Sequence, residues 1–142
     1  EILRGISPKA EVFSNACPMF VPLVENGYAE SEAARLIAAD YLAPLKEEGV
    51  DTLIMGCTHY PLLEGVISDI MGSGVKLVSP GAMAARSARD YLAEQNALCE
   101  KTEGGKSEFY VSDSVENFVE LGSVFLGCPL DTKVRRTEAF SE

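Results

Sequence analysis

The sequence predicts an α/β fold with a mainly parallel sheet, on three observations. Apolar runs of strand length, at 53–55, 75–78 and 109–111, are each followed by a longer stretch that reads as helix. Strands separated by helices need crossover connections, which place neighbouring strands parallel. At 142 residues and 46% hydrophobic content, the chain is long and apolar enough for one domain's core.

Residues 1–10 read as a charged, turn-prone lead-in ending near Ser7-Pro8. Val12 and Phe13 predict a short strand over 11–16. Pro22 breaks the apolar stretch after Cys17-Pro18, and a proline there excludes a central strand. Residues 17–27 are therefore read as a loop or lid, with Glu25 at its end before the Asn26-Gly27 turn. Ser31 is a good N-cap and Glu32 suits the first turn of a helix. Ala34, Leu36, Ile37, Tyr41, Leu42 and Leu45 give that helix its apolar face. Pro44 predicts a kink or early end, and Gly49 a C-terminal stop.

A strand over 51–56 follows, then the turn at Cys57 and a helix over about 61–71 opened by Pro61. Residues 75–78 form the next strand, and the alanine-rich stretch 82–97 a helix. The polar segment 100–106, with Gly104-Gly105, reads as a surface loop. Phe109 to Val111 is a third strand and Ser112-Asp113-Ser114 a cap region. The helix through Phe118 and Leu126 is stopped by Gly127 and Pro129, and one more strand is expected near Val134.

Composition narrows the function classes. A net charge of −10 disfavours non-specific binding to nucleic acid or to an anionic membrane surface. Lys133, Arg135 and Arg136 form the one dense basic patch, read as a solvated stretch. No apolar run approaches the ~18 residues of a membrane span. The opening residues lack a signal-peptide layout, so a reducing, cytoplasmic location is expected. Cys17, Cys57, Cys99 and Cys128 are widely spaced without C-x-x-C, which points to free thiols and no metal site.

The stretch from Asp51 to Leu63, D-T-L-I-M-G-C-T-H-Y-P-L-L, concentrates the chemistry. A strand-to-helix turn faces the crevice where α/β folds bind ligands. Here it carries a thiol, a hydroxyl and the chain's one histidine. A helix start and His59 would both favour the Cys57 thiolate, and unpaired N–H groups with the Thr58 hydroxyl would suit a carboxylate. The bland alternative is a small buried cysteine beside a surface histidine. Other cysteine chemistries fit the spacing poorly. A C-x5-R phosphatase loop needs arginine where Leu63 stands, a papain-like site needs a distant histidine, and a dithiol needs cysteine where Tyr60 stands. A thiolate acting as a base, with His59 managing its proton, remains.

G-C-T-H-Y-P-L-L at 56–63 resembles the second active-site motif of bacterial glutamate racemases, and A-C-P-M-F-V-P-L-V-E at 16–25 resembles a second motif of that family. Weaker likenesses lie in Y-V-S-D at 110–113 and in the helix ending at Leu126-Gly127. His59, where related aspartate racemases usually carry glutamate, selects the glutamate branch. The resemblance implies a partial copy of the two-lobed Asp/Glu racemase fold. Residues 1–78 would form most of the second lobe, and 79–142 the segment that returns to the first. It implies cofactor-independent interconversion of L- and D-glutamate for peptidoglycan, by two cysteines on opposite faces of the α-carbon. Cys57 matches the cysteine acting on the L-enantiomer, His59 its acid/base partner, Glu25 an auxiliary carboxylate and Thr58 a substrate-binding residue. No cofactor is expected; the nearest lysines, Lys46 and Lys76, lie outside the Cys57 turn.

The family's glycine-rich D-S-G-x-G-G opening and its first cysteine are not found in this sequence. The chain therefore reads as part of a racemase that needs its N-terminal half for a complete site, and as a homodimer when full length. Two alternatives stand beside this: a non-catalytic amino-acid-binding or interaction module derived from a racemase half, and a racemase for another acidic amino acid.

Overall fold

The computed structural model describes residues 2–101, 104–130 and 134–138. They form two compact units, Glu1–Glu94 and Gln95–Glu142. Each unit contains one two-stranded parallel sheet, so the architecture is α/β as the alternation predicts.

In the first unit, β1 (Thr52–Ile54) pairs in parallel with β2 (Lys76–Val78), with Leu53 opposite Leu77. The crossover between them is a 3-10 turn, Tyr60–Leu63, running into α4 (Glu64–Met71). Helix α3 (Glu32–Glu47) packs on α4 and buries Ala34, Ala38, Leu42 and Leu45 against Val66, Ile67 and Met71. Small alanines at 34 and 38 let the two helices approach closely. Lys46 Nζ donates to the Ile70 carbonyl at 2.8 Å, which satisfies one of the last carbonyls of α4. The Arg35–Asp69 ion pair at 3.0 Å is exposed and contributes little.

Ser31 caps α3 as its position predicts: its hydroxyl accepts from the Ala34 N–H at 3.1 Å and donates to the Tyr28 carbonyl at 2.7 Å. Ser31→Ala is expected to cost about 1 kcal/mol, read as a lower urea midpoint at unchanged slope. Helix α3 runs past Pro44 to Glu47, so the early end expected there does not occur; Gly49, at φ +65°, turns the chain just afterwards.

Three other expectations change. The lead-in contains a short helix, α1 (Ile2–Ile6). Residues 11–16 form no strand, because no neighbouring strand offers them a ladder. Residues 17–27 are no loop: they contain α2 (Phe20–Glu25), whose Phe20, Leu23 and Val24 are buried. Pro22 is the third residue of that helix. An N–H in the first turn has no intrahelical acceptor, so proline loses nothing there. The alanine-rich helix, α5 (Pro80–Glu94), carries no buried residue.

In the second unit, β3 (Phe109–Val111) pairs in parallel with β4 (Val134–Arg136), and α6 (Val115–Leu126) lies between them in sequence. Ser114 caps α6 through the Asn117 N–H at 3.2 Å, and Gly127, at φ +65°, ends it. Gly122 admits Leu130, whose Cδ1 would lie 2.5 Å from a Cβ at that position. The loop at 100–106 has no regular structure among its described residues. Of the basic patch, Arg135 and Arg136 are exposed, and Lys133 lies outside the described residues.

Candidate functional site

Strand β1 delivers the chain to the site and then stops. Met55 is buried beneath it and still donates to the Val78 carbonyl at 3.0 Å, after which Gly56 and Cys57 leave the sheet. The Cys57 N–H turns back to the Met55 carbonyl at 2.9 Å, and the Tyr60 N–H reaches the Cys57 carbonyl at 3.3 Å. These bonds present three consecutive side chains on a tight turn. Cys57 is half-buried and is a free thiol.

The His59 ring links the predicted residues. Its Nε2 lies 3.0 Å from Glu25 Oε1, and its Nδ1 lies 3.2 Å from Thr58 Oγ1 and 3.9 Å from Cys57 Sγ. An ionised carboxylate only accepts, so Glu25 places the proton on Nε2 and leaves Nδ1 as the acceptor. Nδ1 then faces the thiol and the hydroxyl, either of which can donate to it. Chemically, such an arrangement can accept a proton from Cys57 as a thiolate forms, with Glu25 placed to stabilise the resulting imidazolium. Thr58 and the thiol compete for one lone pair, with the hydroxyl closer. The Thr58 backbone N–H has no partner among the described residues, so it stands available to a carboxylate.

One expected contribution moves. The α-helix begins at Glu64, because residues 60–63 wind as a 3-10 turn. The helix end nearest Cys57 is therefore that of the 3-10 turn, which runs directly into α4.

Tyr60 and Phe20 belong to this site, and spacing alone does not single them out. The Phe20 ring meets Tyr60 edge-on at 5.2 Å and Tyr41 edge-on at 5.5 Å. The Tyr60 hydroxyl donates to the Cys17 carbonyl at 3.4 Å. Together they lock α2, which carries Glu25, against the turn that carries His59. An aromatic residue inside the Cys57 motif, beside the histidine, is the signal that points to this role.

Cys17 is buried, and burial pushes its thiol up from the ordinary value of 9.0, partly offset by its hydrogen bond with Tyr60. Burial likewise raises the Tyr60 phenol, as do the neighbouring Cys17 and Cys57 sulfurs. Raised acids are protonated in the folded state at pH values where the unfolded chain has already lost the proton. Stability is therefore full below the unfolded thiol pKa and falls as pH rises through 9.0, until the folded thiol also ionises. Cys17→Ala should flatten the first part of that decline, measured as thermal midpoints between about pH 7 and 10.5. An equal decline in the variant would remove Cys17 as its cause.

Among the described residues, no three His, Cys, Asp or Glu side chains are grouped to hold a metal ion. No described helix is long and apolar enough to cross a membrane.

No protein-family profile matches the chain. Individual proteins do. The glutamate racemase of Geobacter metallireducens is 44% identical over 125 residues, covering 88% of this chain and 46% of that protein. Glutamate racemase 2 of Caldanaerobacter subterraneus subsp. tengcongensis is 43% identical over 129 residues, covering 91% of this chain and 48% of its own length. Over most of its length the chain is similar to about half of a protein of the glutamate racemase family.

Solved structures of that family agree. Glutamate racemase isoform RacE1 from Bacillus anthracis superposes with a TM-score of 0.85 at 30% identity, over 96% of this chain and 50% of its own. The Francisella tularensis enzyme, solved in complex with D-glutamate, gives 0.85 at 29% identity over 99% of this chain and 52% of its own. The chain thus spans about half the length of the glutamate racemases it matches.

Proposed function

We propose that this chain carries one of the two faces of a glutamate racemase site, with Cys57 as the base that exchanges the α-proton of L-glutamate. The observation that carries the reading is the Cys57–His59–Glu25 relay, assembled from two segments of a racemase relative. His59 accepts the thiol proton at Nδ1, Glu25 holds the ring through Nε2, and the Thr58 N–H and hydroxyl bind a substrate carboxylate. The α-proton of an amino acid is weakly acidic. The site must therefore meet the developing negative charge with fixed donors rather than with mobile water.

Inversion needs a second base on the opposite face, supplied on this reading by the part of the racemase fold that the chain does not match. On this reading residues 1–78 form most of one lobe and 79–142 return toward the other, with the full-length protein a cytoplasmic homodimer making D-glutamate for peptidoglycan without a cofactor.

The test is proton exchange in deuterated water, followed by NMR. The 142-residue chain with L-glutamate should exchange the α-proton with retention and leave D-glutamate unchanged. It should form no D-glutamate at an ordinary enzyme rate. Absence of exchange at saturating L-glutamate would reduce the chain to an amino-acid-binding or interaction module. Preferential exchange of another acidic amino acid would reassign the substrate.

A further inference from the structure

The Nδ1 atom of His59 has one lone pair and two neighbours that can donate to it. The Thr58 hydroxyl lies 3.2 Å away and the Cys57 sulfur 3.9 Å. Glu25, 3.0 Å from Nε2, keeps the ring's own proton on the opposite nitrogen, so Nδ1 remains an acceptor. A hydroxyl is a better donor than a thiol and here it is also the closer group, so without ligand it takes the lone pair. The thiol proton then has no vacant acceptor at Nδ1.

A threonine hydroxyl carries one proton and two lone pairs. It cannot give that proton to Nδ1 and to a carboxylate at once. An ionised carboxylate is the stronger acceptor, because a charge-assisted bond is roughly twice as strong as a neutral one. Thr58 is exposed, so an incoming carboxylate reaches it without displacing protein. The hydroxyl proton follows by rotation about the Cβ–Oγ1 bond, with no movement of the backbone. Oγ1 is then left with only lone pairs to turn toward the ring, and an acceptor in that place favours a protonated Nδ1.

We propose that Thr58 is a substrate-operated switch: a glutamate carboxylate draws its hydroxyl away from His59 Nδ1, turns Oγ1 from donor to acceptor, and so lets the ring take the proton of Cys57. The proton moves from Sγ to Nδ1, the Thr58 proton stays on Oγ1, and Glu25 balances the imidazolium through Nε2. The reactive thiolate is thereby formed when substrate is in place, and the empty site holds the less reactive thiol. The switch rests on the proposed function, since it takes Cys57 as the base and glutamate as the ligand. What it adds is the event that turns the base on.

Histidine-selective 15N labelling tests it, because the chain has one histidine and its two ring nitrogens make up the whole spectrum. At about pH 8, where an ordinary imidazole is neutral, saturating L-glutamate should move the wild-type Nδ1 line toward the protonated position. Thr58→Ser keeps the hydroxyl and should respond in the same way. Thr58→Val, of nearly the same shape, should shift Nδ1 already in the ligand-free chain, leave Nε2 on Glu25, and lose the response to L-glutamate. The rate of α-proton exchange at saturating L-glutamate should fall by about 10-fold or more in Thr58→Val and recover in Thr58→Ser.

A ring that protonates in Thr58→Val as it does in the wild-type chain overturns the proposal, because the substrate's charge would then act on His59 directly. So does a ligand-free Nδ1 line indifferent to Thr58→Val. A rise in KM at unchanged kcat in that variant also overturns it and leaves Thr58 a binding group alone. Exchange without a ring response in the wild-type chain overturns the switch and leaves Cys57 as the base. A ring response without exchange counts against Cys57 as the base and leaves the switch intact. Absence of both overturns both.

Discussion

Cys57→Ala is expected to lower α-proton exchange of L-glutamate by about 10²–10⁴-fold, down to the background of the buffer. The sulfur is the one group on the turn that forms an anion able to approach a carbon-bound hydrogen. His59 is committed through Nε2 to Glu25, and Thr58 is an alcohol that ionises only far above neutral pH. Cys57→Ser tests the chemistry more narrowly, because it puts a hydroxyl in the place of the thiol and so supplies a much weaker acid; it should be nearly as inactive as the alanine variant. The His59–Glu25 bond does not pass through residue 57, so the Nε2 resonance should be unchanged in both variants, while Nδ1 loses its thiol neighbour. Retained exchange in Cys57→Ala would transfer the role of base to another residue and defeat the proposed mechanism.

Phe20→Ala is expected to cost about 3–5 kcal/mol, a large fraction of the ~5–15 kcal/mol that holds a domain of this size together. Phe20 is 1% exposed and contacts two other aromatic rings edge-on. Its removal leaves a cavity between α2, α3 and the 3-10 turn, and those rings lose their partner. Urea unfolding at neutral pH measures the loss as a fall in midpoint. The site should suffer as well, because α2 would no longer hold the Glu25 carboxylate at 3.0 Å from His59. A cost below about 1 kcal/mol would mean that α2 packs loosely and that Glu25 reaches His59 by its own flexibility.

The elements that repeat a short-range rule were legible in advance. Ser31 and Ser114 cap helices because a hydroxyl at that position meets an N–H three residues on, whatever the rest of the fold does. Gly49 and Gly127 mark stops because only the left-handed region turns the chain there cheaply. Residues 11–16 and 17–27 differ from the sequence expectation for complementary reasons. A strand exists only with a partner, and the apolar side chains of 11–16 say nothing about whether one is present. Pro22 forbids a helix interior but not a helix start, and the position of that start depends on Phe20, Leu23 and Val24 finding a core.

The sequence by itself determined the chemistry at the turn. Cys57, Thr58 and His59 are consecutive, so their proximity is covalent, and their relation to a racemase motif is written in the same residues. What only the tertiary structure decided is the other half of the relay. Glu25 and His59 are separated by 34 residues, and they meet because Phe20 and Tyr60 pack α2 onto the 3-10 turn. Chain connectivity fixes neighbours for free, whereas a distant pair is brought together only when burial of apolar surface outweighs the entropy of ordering the chain between them.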